Sequence, residues 1–241
     1  RLYKKKQGIS GNPYLRTYDM GKDKLQRFAA IKTFENVLEI GHQQPLAQKG
    51  KWNELFFKKP QPIVLELGCG KGEYSVGMAE MFPNKNFIGI DIKGNRLYIG
   101  ARDALQKKLE NVGFLRTRVD FIEDHFGSNE VDEIWLTFSD PQPKKPKKRL
   151  SSRLFIERYM SFLKPGGIVH VKTDSDVLFD FTMEQIALYA YPVLDCRPDL
   201  YASLEKENDP MKKAIFSIKT HYETLFHAKG HVIKYVSFTI H

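Results

Sequence analysis

From residue 62 onward the chain alternates short apolar runs with longer stretches whose apolar positions recur at helical spacing. Ile63-Val-Leu-Glu-Leu67 reads as a buried strand that opens directly into a glycine-rich turn. A helix is predicted from about Glu73 to Met81, a strand over Asn86–Ile90 and a second helix over roughly Asn95–Leu109. Strand signals return at Gly113–Val119 and Glu133–Phe138. An amphipathic helix over Arg153–Leu163 stops at Lys164-Pro-Gly-Gly167, with a strand over Ile168–Lys172 and a helix over Val177–Tyr189 behind it. The tail differs: Ala214–Lys219 and Ile233–Ile240 read as strands around a short helix. This order predicts an α/β fold, a Rossmann-like doubly wound and mostly parallel sheet, with an antiparallel edge strand. The first 60 residues show scattered turn formers and no strand alternation, so a short helix near Leu25–Phe34 is the one element expected there. The expected division is a basic, partly mobile extension over residues 1–48 and one domain over 49–241.

Composition narrows the class. With 41% hydrophobic and 28% charged residues, the 241-residue chain is globular rather than disordered. No apolar run approaches the roughly 18 residues of a membrane span, and no signal-peptide pattern opens the chain. Arg1 in place of Met reads as a trimmed start. Cys69 and Cys196 are too few for a disulfide framework or zinc site, and the seven histidines show no ligand spacing. The expectation is a cytoplasmic protein with no metal and no membrane partner, its oligomeric state open between monomer and homodimer.

Charge adds a partner. The formal net charge is +9, and the excess is concentrated. Residues 1–32 hold nine basic side chains against two acidic ones, and residues 142–153 hold six basic and none acidic. Two basic blocks suit a polyanion, most simply nucleic acid, or equally a solubilising tail and one solvated loop.

The chemistry begins at Glu66-Leu-Gly68-Cys-Gly70-Lys-Gly72, where glycines let the backbone turn tightly and approach a ligand. A dinucleotide fingerprint fails here, because the sixth position is Glu73 counting from Gly68 and Ser75 counting from Gly70. An acid at the helix start would also repel a pyrophosphate. The pattern resembles motif I of the class I S-adenosylmethionine (SAM) methyltransferases, whose cofactor carries no phosphate. That resemblance implies the class I fold, with Glu66 near the methionine amino end. Asp91 ends the second strand, where a carboxylate can accept both ribose hydroxyls. Asp120, at the end of the third strand, falls where this superfamily meets the adenine edge. Cys69 reads as a small spacer.

The fourth strand delivers Phe138-Ser-Asp140-Pro-Gln-Pro-Lys144-Lys-Pro-Lys-Lys-Arg149. Strand carboxyl ends line the ligand crevice of an open α/β sheet, so Asp140 is expected at the transferable methyl group and is the catalytic candidate. No aromatic follows Asp140-Pro141, which disfavours methylation of an exocyclic amine. Together with Lys49-Gly-Lys-Trp52, Val171-Lys-Thr-Asp174 and Thr220-His-Tyr-Glu223, this segment resembles the bacterial tRNA (guanine-N7)-methyltransferases over about residues 49–240. One departure is Gln142, where that family usually carries Trp.

The resemblance implies a tRNA partner and methylation of a guanine in the variable loop. It implies substrate contacts at Lys144, Asp174, Thr220, His221, Tyr222 and Glu223, and an RNA-binding stretch over Pro146, Lys147, Lys148, Arg149, Leu150 and Ser151. Guanine N7 is an unprotonated in-plane lone pair, so orientation rather than a strong base carries the chemistry. A carboxylate would stabilise the cationic product, and Asp140, Asp174 and Glu223 could each grip the Watson–Crick edge. Other readings stay open. Thr220-x-x-Glu223 is equally a capping box, Asp174 equally a helix cap, and Lys147-Lys-Arg149 equally solvated loop charge. His170 reads as a packed side chain. A methyltransferase for another RNA base or for a small molecule, and an inactive RNA-binding relative, are the rivals.

Overall fold

The computed structural model describes residues 24–40 and 46–240. Of the extension expected over residues 1–48 to be partly mobile, residues 1–23 and 41–45 lie outside the described residues. Eight strands form one sheet: β1 (Val37–Glu39), β2 (Ile63–Leu67), β3 (Asn86–Asp91), β4 (Val112–Arg116), β5 (Val131–Thr137), β6 (Leu163–Thr173), β7 (Val193–Arg197) and β8 (Lys234–Thr239). Their order is β1-β4-β3-β2-β5-β6-β8-β7, parallel except that β8 runs antiparallel to both β6 and β7. The α-helices are α1 over residues 24–31, α2 (Glu73–Met81), α3 (Gly94–Gln106), α4 (Arg153–Met160), α5 (Asp176–Leu188) and, consecutive between β7 and β8, α6 (Leu200–Leu204), α7 (Pro210–Ser217) and α8 (His221–His227).

From β2 the chain builds outward through β3 and β4, then returns to β5 on the other side of β2. The carboxyl ends of β2 and β5 therefore flank a topological switch point, where open α/β sheets bind ligands. All five β2 residues are buried, as a central strand covered on both faces requires. Alternation divides them: Ile63, Leu65 and Leu67 enter one core, Val64 the other. Glu66 shares the side of Val64 and meets Ser75 of α2.

Four sequence expectations change. Ala214–Lys219 is not a strand, because Asp209 caps α7 by accepting from the Met211 and Lys212 N–H groups and Pro210 opens the first turn. The partner of β8 at this end is β7, whose Val193 and Leu194 are half exposed and gave no alternation. Helix α4 ends at Met160, and Leu163 already pairs with Val131 of β5. β1 pairs with β4, so residues 37–39 lengthen the sheet from within the segment expected to be an extension. The Lys49–Trp52 segment is structural: the Glu130 carboxylate accepts from the N–H groups of Gly50, Trp52 and Gly127, and the Trp52 indole donates to the His125 carbonyl.

Candidate active site

A crevice of about 780 Å³ opens at the carboxyl ends of β2, β3, β4, β5 and β6. It brings together Gly68, Gly70, Asp91, Asp120, Asp140, Lys148, Leu150, Asp174, Thr220, His221 and Tyr222 from the sequence-derived candidates. Glu66, Gly72, Lys144, Pro146, Lys147, Arg149, Ser151 and Glu223 do not line it.

The glycine turn is held open by conformation. Gly68, Gly70 and Gly72 have φ of 77°, 58° and 73°, the left-handed region that side chains disfavour. A Cβ at Gly70 would meet nothing within 4 Å, so this backbone faces free crevice space, whereas one at Gly72 would lie 2.6 Å from the Phe114 ring. The N–H of Gly70 donates to Asp91 Oδ2 at 3.0 Å and that of Lys93 to Oδ1 at 2.8 Å. Asp91 thus ties the turn to the end of β3 and keeps a lone pair on each oxygen.

Glu66 lies beneath this turn. It is buried, accepting from Ser75 N–H at 2.9 Å and Ser75 Oγ at 2.5 Å, while Thr137 Oγ1 donates to its other oxygen at 2.5 Å. Burial pushes its carboxyl up to about 7, against hydrogen bonds that favour the charged form. It braces α2 against the end of β5. Cys69 is buried and its thiol is raised well above the ordinary value by burial, which fits a spacer.

Asp120 stands beyond the end of β4, in a 3₁₀ turn over Val119–Asp124. Lys148 Nζ donates to it at 2.7 Å and Arg118 at 3.2 Å, and this pairing, Lys148 foremost, holds its carboxyl below the usual range. Asp140 is exposed at the crevice and its Oδ1 accepts the Gln142 N–H at 2.9 Å. Left-handed backbone at Phe138 (φ 50°) and Gln142 (φ 44°) brackets it, an unusual conformation for two bulky residues and one that clusters at functional sites.

The basic loop divides in two. Lys144, Lys145, Pro146, Lys147 and Lys148 are exposed, and Lys145, which sequence reasoning had not singled out, borders the crevice with Lys148. Arg149 is buried, donating to the Pro141 carbonyl at 2.7 Å with its guanidinium 4.5 Å from the Phe181 ring centroid. Ser151 is buried against Thr182 at 2.7 Å. These two side chains brace the loop rather than face a nucleic acid.

On the far wall Ser175, not Asp174, caps α5, which leaves Asp174 to the crevice, 3.6 Å from His231. Thr220 and Glu223 do form a capping box. Glu223 is fully buried, so of the three carboxylates considered for a base edge Asp140 and Asp174 remain in the crevice. Arg96 also lines it, with its guanidinium 5.4 Å from the Tyr222 ring; its position in α3 carried no motif signal. His170 is packed flat on Trp135 with ring centroids 4.0 Å apart.

A family model described as a putative methyltransferase matches residues 60–236. The tRNA (guanine-N(7)-)-methyltransferase of Bacteroides thetaiotaomicron is 48% identical, covering 92% of this chain and 87% of that protein. Those of Christiangramia forsetii (44%, 91% and 98% covered) and Pediococcus pentosaceus (35%, 83% and 89%) carry the same description. Among solved structures, the 16S rRNA methyltransferase KamB superposes with a TM-score of 0.59 at 15% identity, covering 85% of this chain and 98% of that one, a likeness of fold. Sequence identity at this level along nearly the whole chain, joined to the crevice at the switch point, places the chain in the tRNA (guanine-N(7)-)-methyltransferase family.

Proposed function

We propose that this protein transfers a methyl group from SAM to N7 of a guanine in the variable loop of tRNA. The observation that carries the reading is one crevice shared by the glycine turn, Asp91 and Asp140 and bordered by the exposed Lys145 and Lys148 of the basic loop.

The donor set fits SAM. Gly70 leaves a backbone cradle that a Cβ would fill, and Asp91 has acceptor capacity for a pair of hydroxyls. Glu73 in the first turn of α2 makes that helix start a poor phosphate site. When bound, SAM supplies an electrophilic methyl carbon on a sulfonium. Asp91 and the turn would hold it, and Asp120 is the acceptor on the wall after β4. Guanine N7 needs no base, so the protein's contribution is orientation and charge. Asp140 lines the crevice with its Oδ1 accepting the Gln142 N–H, and its carboxylate would stabilise positive charge developing on the purine. Lys145, Lys147 and Lys148 supply phosphate contacts that position without reading sequence.

Nucleoside mass spectrometry of tRNA incubated with the protein and SAM tests this reading. 7-Methylguanosine is expected. Another methylated nucleoside would assign a different acceptor, and RNA binding without any methylation would leave an inactive relative.

A further inference from the structure

Helix α8 carries crevice residues but has almost no apolar anchor. Among His221–His227 only Glu223 is buried; Leu225 is 44% exposed and Tyr222 37%. A helix face that buries no hydrophobic stripe needs another way to dock. Lys172 of β6 and Glu223 both have fully buried side chains, with Nζ 2.8 Å from Oε1 and 3.0 Å from Oε2. The Tyr201 hydroxyl donates to Oε1 at 2.5 Å, and Lys172 also donates to the Ile218 carbonyl at 3.3 Å. Glu223 in turn accepts the Thr220 N–H and closes the capping box. A carboxylate taken wholly out of water is costly unless paired, so Glu223 is stable in this position only against the ammonium. Asp174 stands two residues on from Lys172, just past the end of β6, and Tyr222 and His221 stand one and two residues before Glu223, all three on the crevice wall.

We propose that Lys172 is a positioning residue for the methyl acceptor, bolting the first turn of α8 to β6 so that His221 and Tyr222 keep fixed register with Asp174. The inference rests on the tRNA methyltransferase reading and assigns Glu223 to docking the helix, not to contact with the base.

The test compares the full-length wild type with Lys172→Met and with the double variant Lys172→Met/Glu223→Leu. Apolar replacement of both partners of a buried ion pair is commonly tolerated, whereas removal of one is not. Calorimetry with SAM, steady-state methylation of tRNA and amide hydrogen exchange over residues 220–227 are read on each. Lys172→Met should keep SAM affinity within about threefold, raise KM for tRNA at least about tenfold and speed exchange over 220–227, because one charge is left unpaired. The double variant should recover both the protection and at least about tenfold of the lost kcat/KM, since apolar contact redocks the helix. Wild-type tRNA kinetics or unchanged protection in folded Lys172→Met overturns the proposal. So does a double variant that regains protection yet stays as slow as the single, which would return the Glu223 carboxylate to the substrate. If Lys172→Met does not fold, the double variant decides alone: near-wild-type turnover supports docking, and lost turnover in a folded protein overturns it. Absence of 7-methylguanosine with wild type defeats the functional reading only, and the exchange data still decide whether Lys172 docks α8.

Discussion

Lys148 Nζ lies 2.7 Å from Asp120 Oδ1, joining the basic loop after β5 to the wall that follows β4. The loop expected to hold RNA and a carboxylate expected near the cofactor are thus directly coupled. Both partners are partly exposed, so the pair is worth up to about 1 kcal/mol and weakens with salt. Because the Asp120 carboxyl is held below its ordinary range, the pairing is complete above that range and is lost only as acid protonates it in the fold.

Lys148 must leave Asp120 to meet a phosphate, whereas Lys147 has no ion-pair partner within the described residues. Each free lysine that releases a counterion contributes about 0.7–0.9 to the slope of log K against log salt. Lys147→Ala should flatten the slope by about that amount. Lys148→Ala should flatten it less, and filter binding across a salt series checks the order. Equal losses would mean that the Asp120 contact does not persist in solution.

Gly72→Ala should destabilise the protein by roughly 2–5 kcal/mol, combining left-handed backbone with overpacking against Phe114. Gly70→Ala meets nothing within 4 Å and should cost only the conformational part, about 1–2 kcal/mol, while weakening SAM binding. Urea unfolding and calorimetry separate the two; similar stabilities would contradict the packing argument.

Asp91→Ala removes acceptors for Gly70 and Lys93 as well as the expected contact with SAM. Hydrogen bonds to a charged group contribute about 1.5–3 kcal/mol each, so SAM affinity should fall at least tenfold. Unchanged affinity in a folded variant would remove Asp91 from the cofactor site.

Asp140→Asn keeps the side-chain shape and the acceptor for Gln142 but removes the charge. Single-turnover methylation should slow by far more than SAM affinity falls. A near-wild-type rate would show that this carboxylate does not stabilise the cationic purine.

Glu66 gives a pH signature. Its carboxyl is raised from 4.5 to about 7, chiefly by burial, so folding takes up a proton between those values. Stability therefore falls as pH rises through that window, by roughly 3 kcal/mol at 1.36 kcal/mol per unit. Glu66→Gln should abolish this slope and gain on the wild type between pH 5 and pH 8. Parallel pH profiles in chemical denaturation would exclude a neutral buried carboxyl.

What the sequence determined by itself was local or topological. Gly68, Gly70 and Gly72 were legible because their φ values favour glycine whatever surrounds them. Asp91 and Asp140 were legible because parallel strands deliver their carboxyl ends to one crevice. Tertiary structure decided which charges face solvent, since a side chain is withdrawn only by partners remote in sequence. Lys172 and Glu223 are 51 positions apart, and Arg149 in the loop packs on Phe181 of α5. In the sequence Arg149 read as part of a basic loop, for RNA or for solvent, and Glu223 as a substrate contact or equally half of a capping box; neither reading carried the burial that the fold imposes. β1 and β7 were hidden for a related reason: each is short and at an edge, so its pairing is fixed by β4 and β8 rather than by its own alternation.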